Sequence, residues 1–100
     1  MDTLSSELNE FLVRLGKEPD CVSEKVEHYM KHLMHLLPDS DATILKKHYG
    51  LFGNDAMIVD EQAKEYGKSS DELLVTIEKS LRKIAVSPEW QMVKSLIDKS

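Results

Sequence analysis

Residues 45–84 read LKKHYGLFGNDAMIVDEQAKEYGKSSDELLVTIEKSLRKI, and this stretch decides how the rest of the chain is read. It opens as the end of a helix that stops at Tyr49-Gly50-Leu51. A short helix follows, then a turn at Gly67 and a long helix closing on Leu81-Arg82-Lys83-Ile84. That is the layout of a helix-turn-helix, a motif that usually presents its second helix to a DNA groove. The two helices of such a motif cross closely, so the first needs a small residue and the turn needs a permissive one four positions later. Ala63 and Gly67 supply the pair, with Tyr66 and Leu73 as the expected apolar contacts. Small-x-x-x-Gly spacing is common by chance, so the surrounding sequence has to carry the reading.

Upstream, Leu4, Leu8, Phe11, Leu12 and Leu15 follow the spacing of an amphipathic helix, with Thr3 or Asp2 as its cap and Gly16 as its stop. After a linker holding Pro19, a second helix shows Val22, Val26, Tyr29, Met30, Leu33, Leu36 and Leu37 on one face. Pro38 ends it, because the residue before a proline is pushed out of helical geometry. Asp39, Ser40 and Asp41 offer cap oxygens for a third helix to about His48, with Ile44, Leu45 and His48 or Tyr49 inward and Gly50 as a left-handed stop. Residues 51–55 read as a loop and residues 58–66 as the short helix. Ser69 and Glu72 form a capping-box pair that opens the long helix to about Ala85. Ser87-Pro88 is a cap followed by proline at the first helical position, and Trp90, Val93, Leu96 and Ile97 recur at helical spacing in the last helix. No strand signal or internal repeat emerges. The expected fold is all-α, a compact bundle of five to six short helices in one domain. Residues 1–37 would supply two N-terminal helices, and residues 38–98 the part containing the helix-turn-helix.

Composition narrows the function. The chain has 100 residues, 41% hydrophobic and 31% charged, as in ordinary globular domains. No apolar run approaches the ~20 residues of a membrane span, and MDTLSSELNEF lacks the basic start of a signal peptide. The single Cys21 allows no internal disulfide, which fits a reducing cytoplasm. A net charge of −5 works against a strong nucleic-acid binder, and neither half is basic: residues 1–50 carry 6 cations and 9 carboxylates, residues 51–100 carry 7 and 9. Any DNA-binding surface would be a small local patch.

The run from Leu37-Pro38 to Trp90 resembles region four of the bacterial sigma-factor family. The residues that carry the resemblance are Ile44-Leu45 with Lys46-Lys47-His48-Tyr49-Gly50-Leu51, like the family's V-L-x-x-R-Y-G-L. Val59-Asp60-Glu61, Ala63 through Gly67, Ser69, Leu73 and Leu81-Arg82-Lys83-Ile84 also match; Ile77-Glu78-Lys79 resembles the family's I-E-K one residue late. The match covers about half of the chain, with motifs of moderate specificity. It implies a helix-turn-helix domain that binds promoter DNA and docks on RNA polymerase. A chain of this length would lack the other sigma regions, so a complete sigma factor is not expected. Where the family tends to be aliphatic, this chain has Gln62, Lys68 and Thr76, which implies looser packing between the two helices or a shifted phase in the second. Where the family's second helix carries arginines, a glutamate and a glutamine, this chain has Ser70, Asp71, Glu72, Leu74 and Val75. Carboxylates at a helix start suit the dipole but repel phosphate.

Two readings follow. In the first, a small transcription-associated protein binds DNA weakly, or within an RNA polymerase assembly, through candidates Lys68, Ser70, Val75, Lys79, Arg82 and Lys83. The cations among them would touch backbone phosphates and position the protein without reading sequence. In the second, the chain is a protein-interaction module that keeps the fold without DNA readout. Leu74 and Val75 separate the two: packed on the last helix they are structural, and exposed they favour a protein interface. The bland reading of Lys79, Arg82 and Lys83 is a solvated helix end whose cations offset the dipole.

His28, His32 and His35 share one face of the second helix near Cys21, opposite its apolar face. Their spacing is compatible with zinc, but an exposed stripe with no obvious supporting groups behind it suits adventitious metal pick-up or a surface that titrates near pH 6–7. Met30, Met34, Met57 and Met92 read as core fillers. No phosphate loop, nucleophile elbow or convergent acid/base pair is present, so no enzyme activity, cofactor or small-molecule substrate is expected.

Overall fold

A computed structural model describes residues 3–18, 20 and 22–98. Cys21, Pro19 and the Asp2 cap lie outside the described residues. The elements are α1 (Thr3–Lys17), α2 (Glu24–Leu33) continued by a 3₁₀ turn (Met34–Leu36), α3 (Asp39–Tyr49), α4 (Val59–Tyr66), α5 (Ser70–Ala85) and α6 (Pro88–Asp98), with no strand among the described residues. Among the described residues the fold is an all-α bundle of six helices, within the five to six that the periodicities predict.

α5 is its centre. Leu73, Ile77, Leu81 and Ile84 recur every three or four residues, so they share one face, and all are at most 3% exposed. Against that face pack α1, α3, α4, α6 and the 3₁₀ turn. Burying each such side chain contributes roughly 1.5–3 kcal/mol, so the α5 stripe is the main apolar seam of the molecule. Leu8, Leu12 and Leu15 of α1, Val26, Met30 and Leu33 of α2, and Trp90 and Val93 of α6 complete the core.

Several local expectations change. α1 runs one residue past Gly16, whose task lies elsewhere: a Cβ built there would sit 1.9 Å from the Tyr49 carbonyl oxygen. Only a residue without a side chain lets α1 approach the end of α3 so closely. Leu4 is exposed at the start of the same helix. α3 takes Pro38 as its cap residue and makes no side-chain capping bond; Asp39 and Asp41 fall in the first turn, where their charge favours the positive end of the dipole. The second helix tightens into the 3₁₀ turn before Pro38 instead of running unbroken. The loop after α3 extends to Ile58. It is tied by Met57 N–H to the Lys47 carbonyl at 2.8 Å and by Asn54 to the Leu51 carbonyl. Met30 and Met34 are core residues, but Met92 is 52% exposed and fills no gap.

Candidate functional site

The connection from α4 to α5 is three residues long, Gly67-Lys68-Ser69. Gly67 takes φ +65°, a left-handed conformation that costs an L side chain. Lys68 N–H then reaches the Ala63 carbonyl at 2.9 Å and Gly67 N–H the Lys64 carbonyl at 3.3 Å, which satisfies the last carbonyls of α4. Ala63 is 3% exposed, as a close helix crossing requires. Tyr66, expected as an apolar contact, is instead 37% exposed.

α5 starts on a two-way cap. Glu72 N–H donates to Ser69 Oγ at 3.1 Å, and the Ser69 hydroxyl donates to Glu72 Oε1 at 3.2 Å. The Ser70 hydroxyl donates to the Asp60 carboxylate, tying the start of α5 to the start of α4. The hydroxyl of Ser70, one of the candidate DNA contacts, is thus engaged by an anion within the fold.

Polar Gln62 does not loosen the packing. It is fully buried, with its Nε2 donating to the Ile44 carbonyl at 3.4 Å and its Oε1 unpartnered. Thr76 returns its hydroxyl to the Glu72 carbonyl, and Lys68 is exposed in the turn. The phase of α5 matches its expected inward stripe.

The remaining candidates sit on the outer face of α5. Val75 is 50% exposed, and Lys79, Arg82 and Lys83 are exposed beyond it. Lys68 belongs to the other end, in the turn before α5; from Ser70 to Lys79 alone the axis runs about 14 Å at 1.5 Å per residue. None of these four cations forms an ion pair among the described residues. Leu74 at 42% and Val86 at 57% join Val75 as exposed apolar groups, so Leu74 and Val75 are not covered by α6. Val86 lies where the helix was expected to have ended, and its exposure had no signal in the periodicity.

Charge on this face is ordered and balanced. Asp71 and Glu72 occupy the first turn, Glu78 the middle, and Lys79, Arg82 and Lys83 the end, three carboxylates against three cations. The end of α5 that would enter a groove is the acidic one. The face is neutral in sum, with apolar residues between its charges.

His28, His32 and His35 are exposed; the His32 and His35 rings lie 5.9 Å apart, and no group of three or more metal-capable side chains forms among the described residues. His48 is half-buried with Nδ1 unpartnered, and burial lowers its pKa. Its neighbour Tyr49 donates to Asn9 Oδ1 at 2.5 Å, and burial pushes the phenol up to about 12. Between α1 and α6 runs an open groove of about 430 Å³, floored by Phe11, Trp90 and Ile97 and crossed by a Lys94–Glu7 ion pair at 2.5 Å. Its aromatic members are far apart in sequence, so spacing could not have revealed it. No helix among the described residues is long and apolar enough to cross a membrane. Comparisons with protein-family models, with curated proteins and with solved structures return no match.

Proposed function

We propose that the chain is a protein-interaction module that keeps a helix-turn-helix-like layout and binds its partner through the outer face of α5. The observation that carries this reading is the chemistry of that helix's first two turns. Asp71 and Glu72 are exposed beside Leu74 and Val75, which are 42% and 50% exposed. Two carboxylates approaching a duplex meet phosphate repulsion, whereas apolar groups ringed by charge suit a protein surface. The resemblance to sigma region four suggests a transcription assembly, with RNA polymerase or a sigma factor as partner. Affinity capture from cell lysate tests this: a transcription protein recovered by the wild type and lost with Val75→Glu supports it, and recovery unaffected by that change counts against it.

A second reading rests on Lys79, Arg82 and Lys83, exposed and free of intramolecular ion pairs among the described residues. Together with Lys68 they would contact backbone phosphates and give weak, sequence-independent DNA binding. Lys79→Glu with Arg82→Glu would abolish such binding, whereas Val75→Ala, which changes no charge, would leave it largely intact.

A further inference from the structure

The inner face of α5 is covered by four helices, and its outer face is left to solvent. Along that outer face Asp71, Val75, Lys79, Arg82 and Val86 recur at intervals of four, four, three and four residues, which sets them in one straight stripe. Valine is a poor choice for a solvated helix position, where straight-chain residues lose less side-chain freedom. Two half-exposed valines on such a stripe are the spacing of a seam between packed helices.

We propose that the occupant of this face is a second copy of the same chain, packed antiparallel about a two-fold axis near Glu78. The proposal rests on the reading of the α5 face as protein-binding, and in the isolated chain a second copy takes the place that a transcription protein would hold. Charge order selects the arrangement. An antiparallel pair sets Asp71 and Glu72 of one copy opposite Arg82 and Lys83 of the other, and the two-fold repeats each pairing. Val75 of each copy then lies over the aliphatic stems of Lys79 and Arg82 opposite. A parallel pair would set like charge on like. DNA fits the face less well, because its three carboxylates cancel its three cations. A single helix face makes a small interface, so the dimer is a weak, concentration-dependent one.

Sedimentation at physiological salt tests the proposal over about 10 µM to about 1 mM, the range of a weak dimer. The wild-type average mass rises toward twice the monomer, and Val75→Glu stays monomeric with unchanged helical content. Two charge variants are decisive: Asp71→Lys with Glu72→Lys, and Arg82→Glu with Lys83→Glu. Each repels itself and is monomeric alone, and an equimolar mixture restores the dimer because every pairing is again complementary. A wild type that stays monomeric, or a mixture no heavier than its parts, overturns the self-pairing. The broader interaction reading is judged separately: it survives that result if the wild type captures another protein and Val75→Glu does not. A monomer that sediments with added duplex DNA overturns both.

Discussion

Gly16→Ala tests the packing of the molecule at its tightest point. The added Cβ would lie 1.9 Å from the Tyr49 carbonyl oxygen and 3.1 Å from its carbon, where ordinary contact begins at 3.4 Å. The obstruction is backbone, so no side chain can swing aside, and α1 must move off α3 by about 1.5 Å. That shift loosens the layer around Leu12 and Leu15 and the hydrogen bond from Tyr49 to Asn9. Overpacking costs about 1–3 kcal/mol, and rigid backbone puts this site at the upper end. Alanine returns up to about 1 kcal/mol through its better helix propensity. The net loss is about 2 kcal/mol, a fall in Tm of roughly 8–16 °C for a domain of this size. Thermal unfolding followed by circular dichroism reads it. A second substitution separates the steric cause from a backbone one. Gly67 has a positive φ but open space around it, so Gly67→Asn should cost less than Gly67→Ala, while Gly16→Asn should cost more than Gly16→Ala. A neutral or stabilising Gly16→Ala would refute the close crossing of α1 and α3.

Gln62→Met removes a buried acceptor without a partner and keeps the volume, so denaturant unfolding should show a gain of about 1 kcal/mol. Ser87→Ala breaks the cap in which Ser87 Oγ accepts from Trp90 N–H at 3.2 Å, at a cost of about 1 kcal/mol in the same assay. His48 titrates lower in the fold than in the open chain, where its pKa is 6.5, so the unfolded chain binds more protons on acidification. Its contribution is therefore full above pH 6.5 and is lost as pH falls through the lowered value; His48→Gln should flatten stability against pH in that window. At the alkaline end the phenol of Tyr49 ionises at about 10 when unfolded and about 12 when folded, so stability falls from pH 10 toward 12, and Tyr49→Phe should remove that slope.

What the sequence makes legible is what is local. The caps at Ser69 and Ser87, the left-handed stop at Gly50, the turn at Gly67 and the inward stripe of α5 are each specified within a few residues, and each appears as expected. Features that depend on distant partners were not readable. Gly16 reads as a helix stop because nothing nearby shows that Tyr49 passes 33 positions later. Gln62 reads as loose packing because its burial is set by α3. Ser70 reads as a free donor until α4 brings Asp60 beside it. The outer face of α5 lies between these cases: its residues were identifiable, but the exposure of Leu74, Val75 and Val86 required the packed bundle.

The central claim is that the outer face of α5 meets protein rather than a DNA groove. Fluorescence anisotropy of a mixed-sequence promoter duplex, titrated with the wild-type chain at low salt, tests it most directly. Low salt favours any phosphate contact, since each one gains affinity as counterions are diluted. The expected result is no saturable binding, in the wild type and in Lys79→Glu with Arg82→Glu alike. Saturable binding that weakens steeply with salt and disappears in that variant would contradict the claim.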